Sequence, residues 1–277
     1  MGLRINTNVT SLSAQRTLGV NNADQAKSLN KLSSGTRIVR SADDAAGLAI
    51  SEKLRAQIRG TNQAERNAND GISMIQTAEG GLNEVSNILV RLRELAVQSA
   101  SDTVGDSERA FTDLEYQNLK QEVDRISQVT EFNGKKLLNG AGETYDFQIG
   151  INNDAFQDRI SFNTEMLNST LSSLGVDGVA VNSKEGAQES LNMLDDAIQK
   201  VSGQRAELGA KQNRLTSTIQ NLQISSENLS AANSRIRDTD YAAETAQNAR
   251  LNILNAAGTS VLAQSNAQGQ GALKLIG

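Results

Sequence analysis

The chain has 277 residues, no Cys, His, Pro or Trp, and a formal net charge of −5. Without Cys there are no disulfides, thiolate metal sites or Cys nucleophiles, and without His no nucleophile–base pair can be nominated. Mild, interspersed charge gives nucleic-acid binding no electrostatic basis, and apolar runs of a few residues fall far short of the ~20 needed to cross a bilayer.

The first element reads as an amphipathic helix from Ile5 to about Ser34, with Ile5, Val9, Leu12, Ala23, Ala26 and Leu29 on one stripe. Gly35 suits its C-cap. Ser41-Ala42-Asp43-Asp44 resembles a capping box with Asp in place of Glu and opens a second helix. That helix runs to about Ala100, and Ile75, Ala78, Leu82, Val85, Leu89, Leu92 and Ala96 keep a four-three spacing. Gly71, Gly80 and Gly81 weaken it by up to about 1 kcal/mol each relative to Ala. After a turn at 101–106, Asp106 or Ser107 caps a third helix to about Val129, with Leu119, Val123, Ile126 and Val129 inward.

From Phe132 the period changes. Asn133-Gly134 and Asn139-Gly140 mark turns. Tyr145, Phe147, Ile149 and Ile151 alternate with polar residues as in a half-buried strand, and Ile160 and Phe162 begin a return strand. The stretch to Asn182 carries no clear pattern. From Ala187 to Ile236 fifteen four-three positions follow, eleven of them apolar, which predicts a coiled-coil-like helix. At 1.5 Å per residue its fifty residues make a rod of roughly 75 Å. Arg237-Asp238-Thr239-Asp240 breaks the pattern, with an Asp at 238 or 240 placed to cap a last helix.

In that last helix Ala242, Ala246, Ala249, Ile253, Ala256, Ser260, Ala263 and Ala267 form one stripe, with Leu251, Leu254, Gly258 and Val261 beside it. A helix with so narrow a seam is marginal alone. The simplest inference is that the two ends pair with each other and finish their packing against other molecules. The fold class is therefore mainly α: a long coiled-coil-like rod, paired terminal helices and a small β-hairpin region at the middle of the chain. Residues 1–41 with 240–277 form a terminal-helix domain, and 42–239 a rod domain with its hairpin near 132–165.

No constellation supports an enzyme, a cofactor or a metal. Asp43-Asp44 reads as first-turn acids at a helix N-terminus rather than a paired carboxylate. Gly269-Gln270-Gly271 is too short for a phosphate-cradling loop. Three Asn-x-Ser/Thr sequons, at Asn8, Asn168 and Asn228, read as chance matches, two of them on predicted helices. Met1–Arg4 is not followed by a 7–15 residue apolar stretch, so a classical secretory signal is not expected.

Leu32-Ser33-Ser34-Gly35-Thr36-Arg37-Ile38, followed by Ser41-Ala42-Asp43-Asp44-Ala45-Ala46-Gly47-Leu48-Ala49-Ile50, resembles the N-terminal signature of bacterial flagellin. The blocks Arg93 to Ala100 and Phe132 to Leu138 resemble the next two, and Ser234 to Ala242 and Ala257 to Gln264 resemble the C-terminal signature. The resemblance runs in order along almost the whole chain. It implies a structural subunit, exported unfolded through a flagellar type III apparatus, that polymerises outside the cell into a motility filament. The short connection at about 165–182 implies a form lacking the variable outer domains.

The resemblance further implies a filament inner-core interface at Ile5, Val9, Leu12, Ala249, Ile253, Leu254, Val261 and Leu262. The rod core is expected at Leu82, Leu89, Leu92, Leu208, Leu215, Ile219 and Leu222. Implied partners are other copies of the chain, an export chaperone at the C-terminus, and filament cap and hook-junction proteins. A vertebrate innate immune receptor is implied to read a patch at Arg91, Leu95, Gln98 and Glu115. The alternative is a hook–filament junction protein of the same appendage.

Overall fold

The computed structural model describes residues 7–274, with side-chain environments given as far as Gln268. Six helices carry the described chain: α1 (Val9–Ser34), α2 (Ala45–Ser99), α3 (Asp106–Val129), the short α4 (Leu171–Leu174), α5 (Lys184–Arg237) and α6 (Tyr241–Lys274). Four strands lie between α3 and α4: β1 (Glu131–Phe132), β2 (Lys135–Lys136), β3 (Thr144–Gln148) and β4 (Arg159–Asn163). They form two antiparallel pairs, β1 with β2 and β3 with β4. The expected mainly α class with a small β region is thus the observed one. The chain divides into two compact units, residues 58–227 and residues 1–57 with 228–277.

The unit of residues 58–227 has one continuous apolar core. Leu82, Val85, Leu89, Leu92 and Ala96 of α2 are fully buried, as are Tyr116 and Val123 of α3 and Leu194, Val201, Leu208 and Leu215 of α5. Each fully buried Leu contributes about 2 kcal/mol. All fifteen four-three positions of α5 are buried or half-buried. Leu208 and Leu215 are fully buried, whereas Ile219 only packs against the core edge and Leu222 is half-buried. α2 is unbroken through its glycines. A Cβ on Gly71 would sit 3.1 Å from the Phe147 ring, and one on Gly81 2.7 Å from Thr130 Oγ1 and 2.8 Å from Leu138 Cδ1. The residues that weaken the helix locally are those that let the β region lie close against it.

α3 keeps the expected bounds but lacks the expected cap and the inward Val129. It begins at Asp106 after Gly105, without a side-chain cap. Asp106 instead pairs with Arg109 (2.7 Å), whose guanidinium also donates to the Ser99 and Ser101 carbonyls (2.9 Å each) and so closes the turn from α2. Val129 is 55% exposed, because the inward stripe runs through Tyr116, Lys120, Val123 and Ser127. β1 and β2 join through Asn133 and Gly134, both at positive φ (50° and 76°), as a tight hairpin turn demands. In the second pair Tyr145 faces Phe162 and Phe147 faces Ile160. Ile149 is buried but Ile151, beyond the strand, is 42% exposed. The unpatterned stretch is pinned by side chains of α3: Lys120 Nζ donates to the carbonyls of Asp177 (2.5 Å) and Val179 (2.9 Å), and Val181 N donates to Asp113 Oδ1 (2.9 Å).

The other unit is built on α1 against α6. Gly35 ends α1 at φ 69°. The two connections flanking the pair are then stitched together. Thr36 and Asp238 form an isolated antiparallel bridge, Arg37 N donates to Arg237 O (2.7 Å) and Thr239 N to Gly35 O (3.0 Å). Arg37 Nη2 donates to Ile236 O (2.7 Å), and Ile38 is buried beneath.

Candidate assembly interface

The helix starts around this junction explain the acidic residues found there. Asp44 caps α2, accepting from Gly47 N at 2.8 Å. Asp43 turns the other way and accepts from the amides of Arg40 (2.9 Å) and Val39 (3.2 Å). The backbone donor of Arg40 is the main reason its carboxyl titrates below the usual range. The expected box with Ser41 as cap does not form, because α2 starts at Ala45. Asp240 caps α6, accepting from Ala242 N (2.9 Å) and Ala243 N (3.1 Å). Arg237 donates to Glu52 at 2.5 Å, and this bond holds the Glu52 carboxyl below its ordinary pKa. These acids cap helices and pair with Arg. Among the described residues no group of three or more acidic residues is placed to hold a metal ion, and no helix is long and apolar enough to cross a membrane.

The seam between α1 and α6 is small and polar. On α1 it runs through Ser11, Ala14, Leu18, Asn21, Gln25 and Ser28, and on α6 through Leu251, Asn255, Gly258, Leu262 and Ser265, all buried or half-buried. Asn8 Nδ2 donates to Ser265 O (2.9 Å), the Thr10 and Ser265 hydroxyls are 2.8 Å apart, and Ser11 Oγ donates to Asn266 Oδ1 (2.8 Å). Further along, Gln25 Nε2 donates to Asn252 Oδ1 while Gln25 Oε1 accepts from Asn255 Nδ2. Gly258 makes room for Leu18, whose Cδ1 lies 3.1 Å from where a Cβ would be.

The apolar stripes read from the sequence meet this seam only at Leu251 and Gly258. Ile253 is 69% exposed, Val9 60%, Leu12 57%, Val261 57% and Leu254 40%, and Ala249 is also exposed. Ile253 lies two residues from Leu251, so at ~100° per residue it points to the far side of α6. Leu262 alone of the expected α6 set lies in the seam, half-buried. Ile5 lies outside the described residues. Packed together, the helices therefore turn polar groups toward each other and leave Val9, Leu12, Ile253 and Val261 facing water. A monomeric protein rarely leaves such residues aligned without a partner. The helical periodicity showed the stripes, but the amide and hydroxyl residues of the true seam carry no hydrophobic signal to mark them.

The rod unit presents the other residues singled out. Arg91 bridges Glu94 and Glu115, at 2.9 Å in each case, and these acceptors keep its guanidinium firmly charged. Arg91, Gln98 and Glu115 are exposed, but Leu95 is only 2% exposed and belongs to the core. It faces inward because it continues the buried series Val85, Leu89 and Leu92 along α2. Beside them Arg93 bonds Asp195 of α5 at 2.6 Å and lowers the pKa of that carboxyl.

A family model described as the bacterial flagellin N-terminal helical region matches residues 5–143, and one described as the bacterial flagellin C-terminal helical region matches residues 191–276. A flagellin of Halalkalibacterium halodurans is 46% identical over 272 residues, 98% of this chain and 99% of that protein. A flagellar filament core protein of Brachyspira hyodysenteriae is 44% identical over 98% of this chain and 99% of its own length. The flagellin of Bacillus subtilis is 42% identical over 99% and 100%. The crystal structure of Bacillus cereus flagellin superposes with a TM-score of 0.50 at 32% identity, covering 61% of this chain and 94% of that one.

Proposed function

The chain belongs to the bacterial flagellin family, and from that membership we propose that it polymerises through the outward faces of α1 and α6. It is a structural subunit of the extracellular flagellar filament and not an enzyme. The observation that carries the proposal is the mismatch between what the terminal helices bury in their own molecule and what they leave exposed. Val9, Leu12, Ala249, Ile253, Leu254 and Val261 meet the neighbouring copies, as does Ile5, with Leu262 supporting the contact from within the seam. A contact of this kind uses different surfaces on the two copies, so it is open-ended and builds a helical array.

The mechanism is folding coupled to association. α1 and α6 have little apolar surface in common, so they are marginal until neighbours cover their free faces. Residues 1–41 and 240–277 thus act as one assembly domain, and 42–239 as the rod that carries it. Before assembly the same exposed stripe calls for cover, which an export chaperone supplies at the C-terminus. The chain reaches its place through the flagellar type III apparatus and adds beneath a filament cap, above hook-junction proteins. Arg91, Gln98 and Glu115 form a charged patch available to a vertebrate innate immune receptor, with Leu95 supporting it from inside.

Deleting residues 248–277 tests the assembly reading. The expected product is a soluble, mostly helical monomer that gives no filaments by negative-stain microscopy, even with sheared filament seeds. Filaments from the truncated chain would overturn it.

A further inference from the structure

We propose that the side-chain amides of Gln25, Asn252 and Asn255 set the register in which α1 and α6 pair. The inference rests on the assembly reading above and adds to it the residues that make the composite surface unique. Gln25 uses both halves of its amide at once, donating to Asn252 and accepting from Asn255. Those two residues are three apart and lie one above the other on adjacent turns of α6. A polar residue in a helix seam costs stability but admits few alternative alignments; here Gln25 and Asn255 are half-buried and lose their mutual bond in any other, while Asn252, itself exposed, anchors the fork from the rim.

The rest of the seam discriminates poorly. Its middle is Ala14, Leu18, Gly258 and Leu262, small or flexible groups that repack after a shift. A slide of one heptad, about 10 Å, would place Gln25 opposite Thr245 and Asn248, or opposite Thr259 and Leu262, and in either case undo its double pairing with Asn252 and Asn255. Register matters because the outward residues stand on both helices. Val9 and Leu12 keep a fixed offset from Ile253 and Val261 only in one alignment, so a neighbouring copy reading both helices demands that alignment. A polar fork specifies it while leaving the pair weak enough to separate.

The cysteine-free chain allows a direct test by disulfide trapping in assembled filaments. Thr10→Cys with Ser265→Cys reports the observed register, where the two hydroxyls are 2.8 Å apart. Thr17→Cys with Ser265→Cys reports a heptad slip. With the fork intact, trapping of the first pair should exceed the second by about tenfold or more. In a Gln25→Leu, Asn255→Leu background the slipped pair should rise to a comparable yield. A Gln25→Glu, Asn255→Lys background, which replaces the fork by an ion pair, should restore the single register.

Should the leucine variant form no filaments, restoration of assembly and native trapping by the Glu–Lys pair still supports the proposal. It is overturned if the leucine variant traps only the native pair, or if the Glu–Lys pair restores nothing. Failure of the assembly reading is distinguished by the 248–277 deletion, which would then grow filaments whatever the state of the fork.

Discussion

Tyr116 shows how far single residues can be read. It is fully buried in the core of the 58–227 unit, and its hydroxyl has no hydrogen-bond partner among the described groups. The sequence marks it only as one of three tyrosines, since neither period nor motif tells whether a phenol is satisfied. Burial, with a smaller contribution from Asp113, raises its pKa to about 12. The unfolded chain titrates near 10, so the folded state prefers the protonated phenol. The stability this contributes is complete below about pH 10 and is lost as the pH climbs toward 12. Tyr116→Phe should therefore raise the free energy of unfolding by roughly 1 kcal/mol at neutral pH, because it removes a buried unpartnered hydroxyl. It should also flatten the alkaline loss between pH 10 and 12. Urea unfolding followed by circular dichroism at pH 7.5 and pH 11 measures both, and a loss of stability at pH 7.5 would show that the hydroxyl is satisfied in solution. Asp43 and Asp44 are more legible: acids before an apolar run announce a helix start, and the fold divides them between loop closure (Asp43) and cap (Asp44).

At the scale of elements, the long helices were readable because burial and period coincide in them. The α5 spacing puts all fifteen of its positions at least half-buried, and the α2 positions from Ile75 to Ala96 are fully buried. α1 and α6 gave their periods, but of their stripes only Leu251 and Gly258 lie on the packed face. Hydrophobic patterning finds the side that most wants to leave water, and here that side is not the one packed within the molecule. The short β1–β2 pair was missed beyond its Asn-Gly turn, since two-residue strands have no period to detect. The polar seam also predicts dynamics. Its ladder is partly hydrogen bonds between hydroxyls and amides, each worth about 1 kcal/mol net, whereas α2 and α5 share a continuous apolar core. In the dilute, isolated subunit, amides of α1 and α6 should exchange with deuterium at least about a hundredfold faster than those of residues 82–96 and 194–215. In filaments the difference should largely vanish. Equal protection in the dilute subunit would remove the reason for folding on association.

For the whole molecule, the family signatures at both ends made the class of function legible, and the residues proposed to carry contacts between copies follow from exposure. A residue exposed in the subunit and buried in the polymer can be altered without touching the fold, which separates assembly from stability. Ile253 is the sharpest case, at 69% exposure on the side of α6 opposite its seam. Ile253→Asp should leave thermal unfolding of the isolated chain within about 0.5 kcal/mol of the parent, as surface changes usually do. In the filament the same carboxylate would be buried without a partner, at a cost of several kcal/mol. Elongation from sheared seeds, followed by light scattering, should then slow by at least about tenfold, or the critical concentration should rise correspondingly. Ile253→Leu, which keeps volume and polarity, should elongate almost normally. If the aspartate variant grows at the parent rate while its exposure is unchanged, Ile253 faces solvent in the polymer too. The contact must then be sought on the flank that carries Leu254 and Val261, which lies at about 60–80° from the seam rather than opposite it.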